Sequence, residues 1–280
     1  MASGVLYLVA TPIGNLGDIS IRAAKTLGEV DFIAAEDTRV TLKLLQHLDV
    51  KKPIVSYYEH NRRESGEKII KRLVAGENCA LVTDAGTPCI SDPGEELVLL
   101  CAEAGVHVIA IPGPCAAMAA LALSGFPTGR FTFEGFLSTA RKSRFEHLNE
   151  LKTEKRTMVF YEAPHKLLRT LGDMLAVFGD RRISISRELT KIHEETMRGT
   201  LSDAAAHFAE IQPRGEFVLV VEGVDSFAAP AVDFSCAVEA ARDYISDGYS
   251  TKDAVKKAAE DTGVPKNTLY NAVVKNEKNK

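Results

Sequence analysis

No charge of one sign dominates this chain: 34 Lys and Arg stand against 38 Asp and Glu, a formal net charge of −4 over 280 residues. That argues against a protein coated in basic residues, although a local basic patch can still grip nucleic acid. Cysteine is scarce. Its five positions, Cys79, Cys89, Cys101, Cys115 and Cys236, are odd in number, contain no C-x-x-C pair and fall mostly in apolar runs. Free thiols of a reducing compartment look like this, and neither a disulfide framework nor a metal site is expected. Long apolar runs are missing as well. The greasiest stretch, Cys115–Leu123, is too short to span a bilayer. No basic region precedes Val5–Ala10, which ends at Pro12, so a signal peptide is not expected either. Together these absences lead to the expectation of a soluble, cytoplasmic protein without a membrane partner. No internal repeat or low-complexity tract stands out.

What is present suits two ordinary α/β domains, since 45% hydrophobic content over this length buries a core in each. Val5–Ala10, Val30–Ala34, Ile54–Tyr58, Ala80–Val82 and Val106–Ile111 are short, branched and strand-like. Periodic, helix-like segments near 20–28, 38–48, 64–75, 94–104 and 114–123 separate them. Such alternation predicts a mostly parallel sheet. After Ser124-Gly-Phe-Pro-Thr-Gly129 the pattern restarts with Phe131–Phe136, a charged helix near 141–152, Met158–Tyr161, a helix from Pro164 to Phe178, Ile183–Ser186 and Phe217–Val221. The expected division is an N-terminal α/β domain over 1–123 and a second over 124–224. Residues 224–234 read as a linker, and a small helical extension over 235–280 has helices near 235–247, 251–261 and 266–275. The last two helices flank Asp261-Thr-Gly-Val-Pro265, a turn of helix-turn-helix type. From Ser250 to Lys280 there are seven basic and four acidic residues, which fits either a nucleic-acid contact or a plain helical cap.

Two loops at strand ends carry the chemistry. Thr11-Pro-Ile-Gly-Asn-Leu-Gly-Asp18 follows the first strand, and Thr83-Asp-Ala-Gly-Thr-Pro-Cys-Ile-Ser-Asp-Pro-Gly94 follows the fourth. Glycines let backbone approach a ligand, prolines fix the turns, and carboxylates and hydroxyls supply directed contacts where open α/β sheets bind ligands. The chain reads as an enzyme. A dinucleotide site is poorly supported, because the first loop lacks the full G-x-G-x-x-G pattern and has no phosphate-binding lysine. Gly14 and Gly17 could equally do no more than shape a turn into a helix capped by Asp18 or Ser20.

Taken together, Leu8–Asp18, Ala35-Glu-Asp-Thr-Arg39, Asp84-Ala-Gly-Thr-Pro88 with Ile90–Gly94, Pro112-Gly113, Ser124-Gly125, Phe160-Tyr-Glu162 and Arg187-Glu-Leu-Thr-Lys191 resemble the ribosomal RNA small subunit methyltransferase I family. That family is a branch of the tetrapyrrole methylase fold. The similarity runs from about Leu6 to Gly223, and Ser250–Lys280 resembles the helix-turn-helix extension of many members. Arg62, Ala163 and Phe126 depart from the family's usual residues. The resemblance implies two α/β domains with a cleft between them that binds S-adenosyl-L-methionine, and a homodimer. It also implies 2′-O-methylation of a cytidine ribose in the decoding region of 16S rRNA within the small ribosomal subunit. Carried over by motif, Pro12 matches the first loop at the cofactor, Asp84 and Thr87 the second, Cys115 and Ala116 the segment after the Pro-Gly turn, and Tyr161 and Glu162 the strand end on the adenine side.

Methyl transfer from a sulfonium needs the ribose oxygen held in line and relieved of its proton. Glu188 and Lys191 are the catalytic candidates, with Glu36, Asp37 and Arg39 as the other cluster, and a salt-bridged structural role stands beside each. As a base, Lys191 would need a lowered pKa. His60–Arg72 carries five basic against two acidic residues, and Arg141–Arg144 follows the aromatic run Phe131–Phe136. Either could touch RNA or be a solvated face. Two other functions remain on the same fold: a methyltransferase for a small tetrapyrrole-like ring, and a non-catalytic RNA-binding assembly factor.

Overall fold

The computed structural model describes residues 2–224, 234–262, 264 and 266–277. Its first half alternates strand and helix: β1 (Val5–Val9), α1 (Ile21–Glu29), β2 (Phe32–Ala35), α2 (Thr38–His47), β3 (Ile54–Ser56), α3 (Arg62–Val74), β4 (Cys79–Val82), α4 (Glu95–Glu103), β5 (His107–Ile111) and α5 (Ala116–Ser124). The strands form one parallel sheet in the order β3-β2-β4-β1-β5. Both faces are covered, which is why β2 and β4 read as unbroken apolar runs. On one face Phe32, Ala34, Cys79 and Leu81 meet Ile69, Leu73, Leu97 and Cys101 of α3 and α4. On the other, Ile33, Ala35, Ala80 and Val82 meet Ala23, Leu27, Leu44 and Leu45 of α1 and α2.

The second half contains β6 (Phe131–Phe136), α6 (Arg141–Glu150), β7 (Thr157–Glu162), α7 (Leu167–Phe178), β8 (Arg182–Arg187), β9 (Glu195–Thr200), α8 (Leu201–Glu210) and β10 (Phe217–Val221). This sheet has the order β6-β7-β10-β8-β9, and β6 with β7 is its one parallel pair. Helices α6, α7 and α8 cover one face through Leu148, Leu167, Leu171, Met174, Leu201 and Phe208. The other face, with Val159, Val218 and Val220, receives Ala117, Ala120 and Leu121 of α5. Thus α5, although all but its last residue falls within 1–123, packs on the second sheet, and the chain passes between the sheets at Pro112–Cys115. A helix apolar all round gives no sequence signal of which sheet it covers.

Residues Val224–Lys280 form a separate compact unit. It comprises α9 (Phe234–Ser246), α10 (Thr251–Thr262) and α11 (Lys266–Glu277). Its core joins Ala237, Ala241, Val255, Ala258 and Leu269. The linker expected at 224–234 and the turn residues 263 and 265 lie, for the most part, outside the described residues. Among the described residues no helix is long and apolar enough to cross a membrane.

Candidate functional site

The carboxyl ends of β1, β2 and β4 open toward the second sheet, and the loops that follow them wall a cleft of about 410 Å³. Two of these loops are clipped together. The Thr11 amide donates to the Gly86 carbonyl at 2.8 Å, and the Gly86 amide returns a bond to Thr11 at 3.1 Å. Ile13, Glu36, Asp84, Thr87 and Asp92 line the first-sheet side, and Cys115 and Ala116 lead into α5. Phe136, Tyr161, Glu162, Leu189, Glu216 and Val218 line the side of the second sheet.

Six of the residues expected from sequence therefore meet in one place: Asp84, Thr87, Cys115, Ala116, Tyr161 and Glu162. Pro12 does not line the cleft; its neighbour Ile13 does. Several of the six are committed to the frame. Thr87 donates its hydroxyl to the Pro114 carbonyl at 2.9 Å. The Tyr161 hydroxyl accepts from the Ala117 amide at 3.2 Å, holding the start of α5, while Phe133 and Phe136 pack against its ring. Glu162 is 2% exposed and accepts from the Thr170 hydroxyl at 2.6 Å and the Ala163 amide at 2.8 Å. These bonds fasten the end of β7 to α7.

The cleft is anionic. Glu36, Asp84, Asp92, Glu162 and Glu216 line it, and none of its lining residues is Lys, Arg or His. The Glu36 carboxylate accepts from the Asp84 amide at 3.4 Å, and that of Asp84 from the Asp37 amide at 3.1 Å. Burial first, and then neighbouring carboxylates, Asp84 and Asp37 for Glu36 and Asp37 for Asp84, nevertheless push both above the usual carboxylate range. Burial and neighbouring carboxylates likewise drive Asp92 up to about 7. Asp37 behaves oppositely, because Arg39 binds it at 2.6 Å and holds it down at about 2.

Glu188 and Lys191 are not among the lining residues. They stand behind Leu189 and Glu216, which are. The Lys191 ammonium donates to Glu188 at 2.9 Å and to Glu216 at 3.2 Å, and Glu188 also accepts from the Glu216 amide at 3.1 Å. These partners outweigh burial and raise the Lys191 pKa, while Lys191 holds Glu188 below its ordinary value. A base would need the opposite shift in lysine, so Lys191 is a cationic donor here. The turn is tight: Glu188 and Thr190 adopt left-handed backbone, with φ of 51° and 67°. Gly14 also answers to this motif, because a Cβ there would lie 2.4 Å from Lys191 Cγ. Its lack of a side chain permits close approach rather than merely a turn.

Sequence reasoning passed over Phe136, Leu189, Glu216 and Val218 as cleft residues, and named Asp92 only as part of a loop. Phe136 ends β6 and is 53% exposed, whereas the last residues of β1, β2, β4, β5, β7 and β10 are buried, so its position at a strand end gave no signal. Glu216 had none either, since its place depends on how β10 enters the sheet.

A parallel sheet presenting glycine-rich loops to a mixed sheet across an acidic cleft defines a methylase of the tetrapyrrole type. Residues 5–205 match the family model of the Tetrapyrrole (Corrin/Porphyrin) Methylases. Two solved enzymes share the fold, each covering 78% of this chain and 94% of its own. Uroporphyrin-III-C-methyltransferase from Thermus thermophilus is 19% identical with a TM-score of 0.56. Cobalt precorrin-4 methyltransferase is 18% identical with a TM-score of 0.59. Within that class the chain belongs to the ribosomal RNA small subunit methyltransferase I family. It is 50% identical to the member from Synechocystis over 95% of this chain and 96% of the relative, and residues 237–277 match the RsmI C-terminal HTH domain. The member from Thermotoga maritima is 49% identical over 220 residues, 79% of this chain and 99% of that protein.

Proposed function

We propose that the protein is an S-adenosyl-L-methionine-dependent methyltransferase that modifies the 2′-hydroxyl of a cytidine in the decoding region of 16S rRNA, working as a cytoplasmic homodimer on the small ribosomal subunit. The observation that carries the reading is a cleft with five lining carboxylates and no lining cation. S-adenosyl-L-methionine bears a sulfonium and an ammonium, and these offer counter-charge to Glu36 and Asp84, which burial and then neighbouring carboxylates raise. Ile13, Ala116, Tyr161 and Val218 offer an apolar wall for the adenine. The residues present fit the methyl donor, which when bound supplies an electrophilic methyl group. The names of the family's members support rRNA as the acceptor.

An anionic cleft repels phosphate, so the RNA backbone has to stay at the rim while one ribose enters. Folded RNA shape then selects the site, which favours an assembled subunit over naked rRNA. Glu188 and Lys191 act on the chemical step by position, fixing Leu189 and Glu216 at the second-sheet wall. Labelled methyl donor supplied with assembled small subunits and, separately, with naked 16S rRNA tests the reading. Label on a cytidine 2′-oxygen of the subunit is the expected result. Label on a base, or on a small cyclic acceptor alone, would refute it.

A further inference from the structure

We propose that the amino-terminal ends of α6 and α7 grip the phosphate backbone of the rRNA strand whose ribose enters the cleft, an assignment that rests on the rRNA reading above. An acidic cleft repels that strand, so cations have to stand at its rim. The two rims differ in what they offer. On the first-sheet side two of the cations are tied to carboxylates, Arg39 to Asp37 at 2.6 Å and Arg62 to Glu96 at 3.2 Å. From Thr83 to Glu96 there are four acidic residues and no basic one. On the second-sheet side, residues 138–146 follow β6 and open α6, and residues 163–170 follow β7 and open α7. These two stretches hold five Lys and Arg against one Glu. Arg141 and Arg169 are exposed, and among the described residues no carboxylate pairs with either of them or with Lys166.

The fold brings these three side chains to one place. Strands β6 and β7 are neighbours and parallel, so the helices that follow them both begin at the end of the sheet that carries Phe136, Tyr161 and Glu162 in the cleft wall. Arg144 bridges the two helices: it is 2% exposed and donates to Asp173 at 2.7 Å. Residues three or four apart share a helix face. Arg141 is three residues before Arg144, and Arg169 is four before Asp173. Both therefore stand on the bridged faces, about 4.5–6 Å nearer the helix starts than the bridge itself. Ala163 and Pro164 line the cleft, which puts Lys166 two residues from its wall.

The site is braced in advance. Arg144, its charge offset by Asp173, also donates to the Ser138 carbonyl at 2.9 Å and the Thr139 carbonyl at 3.1 Å, fixing the loop after β6. The Arg141 guanidinium rests over the Phe145 ring, 5.1 Å from its centroid, and its N–H groups stay open to phosphate oxygens. Uncompensated cations this close repel one another, and an RNA strand supplies the counter-charge. Spread over two helix ends, they make a track for a chain of phosphates rather than a pocket for one anion.

Subunit binding measured against salt tests the grip. Removing both guanidiniums, Arg141→Gln with Arg169→Gln, should weaken binding to small subunits about tenfold or more at low salt. The log–log salt slope should become shallower by about 1.4–1.8, the equivalent of two phosphate contacts. Arg141→Lys with Arg169→Lys should keep most of the slope, because the charge is retained. Donor affinity by calorimetry should stay within a few-fold throughout, since neither side chain lines the cleft. Arg130→Gln with Lys155→Gln removes the same charge just before β6 and β7, at the opposite end of that sheet, and should leave the slope as in wild type. An equal fall in slope for both Gln pairs, or a wild-type slope for Arg141→Gln with Arg169→Gln, would overturn the assignment. So would a loss on subunits that is absent on protein-free 16S rRNA, which would make a ribosomal protein the partner. The expected slopes together with label on a base instead of the 2′-oxygen would leave the grip standing and remove only the reading of the chemical step.

Discussion

At the scale of single residues, the cleft separates side chains that hold the frame from those left for a ligand. Glu162 and Thr87 are occupied by Thr170, Ala163 and Pro114, and Tyr161 by the start of α5. Asp84 is different, since it faces the cleft and its one structural bond is to an exposed loop amide. Asp84→Ala should therefore weaken S-adenosyl-L-methionine binding by about tenfold or more, the scale of one lost hydrogen bond to a charged group, while the circular dichroism spectrum stays as in wild type. Calorimetry showing unchanged affinity would take Asp84 out of the site. Gly14→Ala makes a complementary case: its methyl would sit 2.4 Å from Lys191 Cγ, so either the first loop or the Lys191 stem has to move. Donor affinity should fall although no polar contact is deleted, and Gly14→Ala combined with Lys191→Ala should regain part of it. If the double variant binds no better than Gly14→Ala, steric contact is not the cause.

Among the elements, the first sheet was legible in the sequence for a physical reason. Parallel strands covered on both faces have to be apolar throughout, and the loops at their carboxyl ends concentrate Gly, Pro and Asp, so both signals stand out. The second sheet hid its mostly antiparallel pairing, because β7, β8 and β10 are short apolar runs that look the same in either direction. It also hid β9 and α8. Glu195-Thr-Met-Arg-Gly-Thr200 is a polar edge strand without buried residues, paired with β8 alone. The start of α8 could have been found, since Thr200 and Asp203 form a capping box. The loops after β1 and β4 were legible as cleft loops because their chemistry is local. The position of Arg187–Lys191 behind the cleft wall was not legible, since it depends on the meeting of Gly14, Glu188 and Glu216 from three distant stretches. That arrangement makes Lys191→Met informative: the apolar stem beside Gly14 survives and the ammonium is lost. Single-turnover methyl transfer should drop by about 10²-fold for Lys191→Met and for Glu188→Gln, with donor affinity little changed. Rates within a few-fold of wild type for both would leave the motif a purely structural brace.

For the whole molecule, the division into Met1–Gly223 and Val224–Lys280 separates the cleft from the helical unit. Every residue lining the cleft belongs to the first unit, and each unit has its own core. The match to 99% of the Thermotoga maritima relative spans 220 residues, close to the size of the first unit. A chain ending at Val224 should therefore fold and bind S-adenosyl-L-methionine as the full protein does. Turnover on RNA is where it should fall short, because the cleft is anionic and the excess of three basic residues lies in Ser250–Lys280. If Lys252 and Lys266 reach phosphates, each contact steepens the salt dependence of binding by about 0.7–0.9 in log–log slope. The full chain's advantage should thus be largest at low salt and shrink as salt rises, and the truncated chain should show a shallower slope in subunit binding. Equal slopes would mean that the helical unit makes no phosphate contact, and loss of donor binding on truncation would mean that the first unit depends on it for its fold.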